Sequence, residues 1–184
     1  MIRPIVIYGD PVLRAKCKPV ETVTDETRQL AEDLVETMVD AQGVGLAAPQ
    51  VGVPIQLAVV DVSHDPECIS YLRVDGRDTA LKDLMPLVFV NPQLRLKAPR
   101  VSEQEGCLSF PEIRAMITRP DHVEATLQTL DGETIVVETD GLLSRAIQHE
   151  TDHLNGRLFI DRLSAATKAT LKGKIKRMME IYTP

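Results

Sequence analysis

The chain has 184 residues, 43% hydrophobic and 26% charged, which is the size and balance of one globular domain and not of a disordered or fibrous chain. No apolar run approaches the roughly 18 residues that span a bilayer. The start, Met1 to Tyr8, lacks the apolar core and cleavage site of a signal peptide, so a cytoplasmic location with no membrane partner is expected. A net charge of −6 argues against a dedicated nucleic-acid binder, so no DNA partner is expected, and three scattered cysteines are too few for a disulfide framework.

No repeat, low-complexity tract or linker divides the sequence, so residues 1–184 are expected to form a single domain. After an extended start, Thr24 is placed to cap a helix through about Gln42, with Leu30, Leu34, Met38 and Ala41 at helical spacing and Gly43 as its stop. Ile55–Val60 and Leu87–Val90 read as buried strands. Between them, Ser63 to Pro86 is polar and broken by Pro66 and Gly76, which predicts a variable surface excursion. Val123, Ala125 and Leu127 alternate before Asp131-Gly132, and Ile135 and Val137 after it, which predicts a hairpin with a tight turn. Asp140 is placed to cap a helix running to about Asn155 and ending at Gly156. A last helix follows Ser164, with Leu171, Ile175, Met178, Met179 and Tyr182 available for an apolar stripe. Without repeated β-α-β units, the class is α+β.

The chemistry is concentrated on the penultimate helix. His149-Glu-Thr-Asp-His153 fits H-E-x-x-H, whose two imidazoles lie one turn apart on one face and can reach a single metal ion. On a wheel of about 100° per residue with His149 at zero, His153 falls near 40°, Ala146 near 60° and Glu150 near 100°, among the aliphatic positions. Ser144, Arg145, Gln148, Thr151, Asp152 and Asn155 fall on the opposite, polar side. A buried glutamate needs a compensating charge, and a divalent cation with its bound water supplies one. Histidines that merely hydrogen-bond in the core are the plainer alternative, but they leave Glu150 unexplained.

Catalytic metals usually take three protein ligands. The longer metzincin pattern fails, because Phe159 stands where its third histidine belongs. A downstream glutamate leaves only Glu180, and His64 and His122 have no supporting context. Cys107, in Glu105-Gly-Cys-Leu-Ser109, is a further candidate, with a small buried hydrophobe as its ordinary alternative. One thiolate and two imidazoles would suit Fe(II), Zn(II), Co(II) or Ni(II) rather than Mg(II) or Ca(II).

Three segments, Gly43-Val-Gly-Leu-Ala-Ala-Pro-Gln50, Glu105-Gly-Cys-Leu-Ser109 and Gln148-His-Glu-Thr-Asp-His-Leu-Asn-Gly156, resemble in order and spacing the three signature motifs of the peptide deformylases. The resemblance implies antiparallel β-sheets packed around a central H-E-x-x-H helix, with a C-terminal helix. It implies removal of the N-formyl group from the initiator methionine of nascent polypeptides, with release of formate. It assigns Cys107, His149 and His153 as metal ligands, Glu150 as general acid/base, and Gln50 with the Leu108 backbone N–H as oxyanion donors. It implies Fe(II) as the usual ion, replaceable by Ni(II), Co(II) or Zn(II). Gly43 and Gly45 would offer backbone to an extended peptide, Val44, Leu108, Leu142 and Ala146 would wall a methionine pocket, and Arg114 would contact the peptide backbone. Arg145 stands where some members carry an apolar residue.

From Arg162 to Arg177 there are six cations and no acid, so the remainder is twice as acidic as the net charge suggests. This basic helix either docks on the ribosome, as the family's C-terminal helix can, or is a solvated face with cations near a helix C-terminus. Two other readings of the chain are a general metallopeptidase and a structural metal module. The second leaves Glu150 without a use.

Overall fold

The computed structural model describes residues 1–182. Thr24 caps α1 (Asp25–Asp40) as its position predicts, its hydroxyl accepting the Thr27 N–H at 3.3 Å. Leu30, Leu34 and Met38 are buried on one side of the helix. Two short strands follow, β1 (Gly45–Ala47) and β2 (Leu57–Val60). β1 is unforeseen, since three residues carry no period. Ile55, expected within β2, instead bridges to Lys18.

The segment from Ser63 to Pro86 is more than a surface excursion. It contains β3 (Leu72–Val74), β4 (Arg77–Asp78) and the short helix α2 (Leu81–Leu84). Leu72 is buried, and β3 pairs with residues 137–139 of the later hairpin. The strand expected at Leu87–Val90 is the first part of β5 (Leu87–Gly106), which pairs along β6 (Arg114–Gln128). Its outer half is largely exposed and polar, so no buried face announced it. β6 turns into β7 (Thr134–Thr139) through residues 129–133, a wider connection than a two-residue turn, with Gly132 at φ 85°. All strands run antiparallel in one sheet, ordered β1-β2-β5-β6-β7-β3-β4, so the sheets expected around the helix are continuous.

The central helix is α3 (Gly141–Leu154). Asp140 precedes it but does not cap it with its side chain. That carboxylate accepts the Ser70 N–H at 2.7 Å and the Ser70 hydroxyl, tying the 63–86 segment beneath the helix start. Gly156 ends the helix at φ 68°, and a side chain there would meet the Arg14 carbonyl carbon at 2.9 Å. Ser164 precedes α4 (Ala165–Tyr182), its hydroxyl accepting the Thr167 N–H at 3.1 Å. In α4, Leu171 and Met178 are buried and Ile175 and Met179 partly so, whereas Tyr182 is exposed and stands outside the stripe.

The opposite face of α3 is also buried, contrary to the wheel's division into apolar and solvent sides. Leu143, Ala146, Ile147 and Leu154 join the main core, while Ser144, Arg145, Gln148 and Asp152 are each less than 9% exposed. Ion pairs make that burial tolerable. Glu105, at the end of β5, accepts from Arg119 at 2.5 and 3.0 Å, from Arg145 at 2.7 Å and lies 3.1 Å from His149 Nδ1. Arg119, wholly buried, also donates to Asp152 at 2.8 Å, and Arg162 closes the network on Asp152 at 2.6 and 2.7 Å. Burial alone would raise the Glu105 carboxyl, but hydrogen bonds from His149 and Arg119 outweigh it and hold it well below the ordinary range.

Glu105 therefore contributes stability that is complete above its unfolded value of ~4.3 and is lost as acid carries the pH toward its lower folded value. Glu105→Gln is expected to cost about 3–5 kcal/mol at neutral pH, because it leaves buried cations undercompensated. Denaturant titrations from neutral pH to below pH ~4 should also show a flatter acid dependence in the variant than in the parent.

Candidate metal centre

Each part of the centre is positioned by a different element. The α3 turn brings His149 and His153 side by side, ring centroids 5.0 Å apart. The loop after β5 delivers Cys107, whose Sγ lies 3.3 Å from His153 Nε2. One donor atom from each of Cys107, His149 and His153 falls within 4.8 Å of the others. Because His149 Nδ1 is engaged by Glu105, its Nε2 is the nitrogen left for a ligand role. The other cysteines take no part: burial pushes the Cys17 thiol up to about 11, and Cys68 is exposed in the 63–86 segment.

These donors fit a cation. Burial opposes a proton on His149, yet Cys107 and Glu105 raise it well above the ordinary imidazole value. Burial and the neighbouring His149 charge drive His153 the other way. One thiol and two imidazoles are donors that suit a borderline-soft divalent ion. Burial pushes Glu150 up to about 7, with His149 and Arg119 offsetting part of the rise. Glu150 Oε2 and His153 Nδ1 are buried without a protein partner. A nearby cation would favour the ionised form of Glu150.

Gln50 enters from the 3₁₀ turn Ala48–Val51. Its Oε1 accepts the Ala47 N–H at 2.9 Å, which turns Nε2 toward Ser109 Oγ at 3.2 Å and Cys107 Sγ at 3.6 Å. Gly45 is needed for packing as well as for an exposed backbone: a Cβ there would stand 2.8 Å from Glu150 Cδ. Likewise a Cβ on Gly43 would stand 2.8 Å from Leu108 Cδ1. β1 is an edge strand, and Val44 O accepts the Asp61 N–H at 2.9 Å. In an antiparallel pair the next residue then directs its N–H and C=O outward, so Gly45 offers both to the open edge.

A cavity of about 540 Å³ opens over the centre. Its walls include Gly43, Val44, Gly45, Gln50, Cys107, Leu108, Arg114, Leu142, Ala146, His149 and Glu150, so every site residue read from the sequence lies on it except His153, which sits behind Cys107. Arg145 also lines it, but its guanidinium is taken up by Glu103 at 3.0 Å, Glu105, Ile117 O and Val101 O. Sequence reasoning missed the supporting roles of Glu105, Arg119 and Asp152. The only signal was a wheel face rich in polar residues, opposite the aliphatic arc. It also gave His122 no context, although Asp121, His122 and Asp140 form a second three-donor grouping. There, Ser70 and Tyr71 already engage Asp140 and His122 Nδ1.

Residues 2–169 match the polypeptide deformylase family. The peptide deformylase of Methylacidiphilum infernorum is 42% identical over 178 residues, covering 97% of this chain and 93% of the relative. That of Bartonella quintana is 43% identical over 177 residues, covering 96% and 92%. The crystal structure of the Ehrlichia chaffeensis peptide deformylase with actinonin superposes with a TM-score of 0.84 at 30% identity, over 100% of this chain and 99% of that one. The Thermotoga maritima enzyme gives a TM-score of 0.74 at 37% identity, over 89% and 99%. With sequence and fold agreeing along nearly its whole length, the chain belongs to the polypeptide deformylase family, metal-dependent hydrolases that remove the N-formyl group from newly made polypeptides.

Proposed function

We propose that residues 1–184 act as one catalytic domain in which Cys107, His149 and His153 hold the ion and Glu150 carries the proton. The convergence of three donor atoms within 4.8 Å beneath a cavity that also receives Glu150 and Gln50 supports this reading. Cys107, His149 and His153 would hold a divalent ion, which when bound would supply Lewis acidity toward water and the formyl oxygen. Glu150 takes the proton of the attacking water and delivers it to the departing amine nitrogen. Gln50 Nε2 and the Leu108 N–H stabilise the oxygen that gains negative charge, and formate leaves.

The substrate is held largely through its backbone. Gly43 and Gly45 pair with the extended peptide as an added strand, which binds with little dependence on sequence. Arg114 contacts the peptide backbone from the opposite rim. Val44, Leu108, Leu142 and Ala146 enclose the methionine side chain. We take the working location to be the cytoplasm, where nascent formylated peptides arise; no helix among the described residues is long and apolar enough to cross a membrane.

Fe(II) is the resident ion in this reading, with Ni(II), Co(II) or Zn(II) able to occupy the same donors. α4 presents Lys168, Lys172, Lys174, Lys176 and Arg177 on exposed positions, which supports docking on the ribosome. Arg162 does not belong to that surface, since its charge is matched by Asp152.

Formyl-Met-Ala should be turned over and acetyl-Met-Ala left intact; equal rates would refute a deformylase. Glu150→Gln should lower formyl-Met-Ala turnover by about 10²–10⁴-fold while metal content stays unchanged. Anaerobic purification with metal analysis should find Fe(II), with turnover decaying in air as the thiolate site oxidises, whereas Ni(II)-loaded protein should persist. Replacing Lys168, Lys172, Lys174 and Arg177 by Gln should reduce co-sedimentation with ribosomes, and unchanged co-sedimentation would end the docking proposal.

A further inference from the structure

A second cavity, of about 430 Å³, lies away from the metal centre and is lined by Arg100, Thr118, Arg157, Leu158, Asp161 and Arg162. Three guanidinium groups around one recess are unusual in a chain of net charge −6. The single carboxylate on the wall does not balance them: Asp161 is bound twice by Arg14, at 2.5 and 3.1 Å. Lys168, at the start of α4, adds a further cation that acts on the same carboxylate. Arg162 is fixed at the wall by its paired bonds to Asp152. Among the described residues, the Arg157 guanidinium has no hydrogen-bond or ion-pair partner, its backbone N–H alone being engaged by the Asp152 carbonyl at 2.9 Å, and the Arg100 guanidinium donates only to the Thr118 carbonyl, at 3.3 Å. Two guanidinium forks without a carboxylate partner therefore share a concave site with a third that is held in place.

Like charges gathered this way repel, and an oxyanion relieves the repulsion. Guanidinium groups bind phosphate oxygens in paired, charge-assisted hydrogen bonds that a simple surface cation cannot reproduce. From this geometry we infer that the recess is a binding site for phosphate groups, served chiefly by Arg100 and Arg157, with Arg162 as a fixed wall. The phosphate is either a free phosphate-bearing small molecule or part of a nucleic-acid backbone, and the two sources share the same chemistry. The site stands apart from the deformylation machinery, since neither Arg100 nor Arg157 lines the metal-centre cavity.

The test uses the full-length, Ni(II)-loaded protein and follows arginine Nε–Hε signals by NMR during titration with inorganic phosphate, with chloride at matched ionic strength as control. Saturable shifts of the Arg100, Arg157 and Arg162 signals with phosphate but not chloride are expected. The double variant R100Q/R157Q should bind phosphate about tenfold more weakly or worse. Its formyl-peptide turnover should match the parent, which shows that it is folded. A short single-stranded RNA supplies the second arm. RNA binding that is much tighter per phosphate, and lost in the same variant, assigns the site to a nucleic-acid backbone. Comparable affinity per phosphate assigns it to a free ligand. Shifts that are linear, equally strong with chloride, or changed less than about twofold in the double variant would overturn the proposal.

Discussion

The Glu105 carboxylate is the point on which the metal centre depends. A carboxylate at 6% exposure is costly to bury unless cations surround it. Here it touches Arg119 from β6, Arg145 from α3 and His149 from the same helix. Cys107 follows it by two residues, so the group that fixes the His149 ring also sets where the thiol stands relative to α3. Such a pair contributes little net stability compared with an apolar core. What it supplies is a common reference for ligands that come from a strand end and a helix. The same bond leaves only one nitrogen of His149 facing the centre, a choice that the helix alone would not make.

Glycine completes the arrangement by letting a strand approach a carboxylate. Glu150 needs burial to sit beside the two imidazoles, and a side chain on Gly45 would occupy its space. The backbone that closes over Glu150 is also the open edge of the sheet. One residue thereby brings the Glu150 carboxylate and the open sheet edge together. The distance between that carboxylate and the edge is consequently set by backbone contact, which is stiffer than contact between two side chains.

Local patterns made the helices and the histidine pair legible in the sequence. Thr24 as a cap, Gly156 as a left-handed stop and the four-residue spacing of His149 and His153 all act within a turn or two. Features that depend on distant partners were less visible. The outer part of β5 has neither an apolar face nor a period, because most of its own residues are exposed and polar even where their β6 partners are buried. Asp140 looks like a helix cap, but Ser70, seventy positions away, competes for its oxygens. The polar face of α3 looks solvated because a sequence does not display its matching charges; Arg119 and Arg162 arrive from a strand and from the loop beyond. Composition misled in the same way, counting Arg162 with a basic tail although its charge is spent internally. Cys107 and Gln50 fell between these cases, since motif resemblance identified them where spacing alone left alternatives open.

Arg145 shows how a charged residue can serve an apolar pocket. Its position on the cavity wall would set a charge against an apolar occupant, at a desolvation cost. Its guanidinium, however, is directed to two carboxylates and two backbone carbonyls, and the residue is only 7% exposed. With the charged end engaged on the strand side, the methylene stem is the part left to face an apolar occupant. An apolar residue at this position would remove the side-chain donor to Val101 O and Ile117 O and one of the two donors to Glu105 Oε1. The cost of that change would fall on the β5–β6 support of Glu105, and through it on His149, before it fell on the pocket itself.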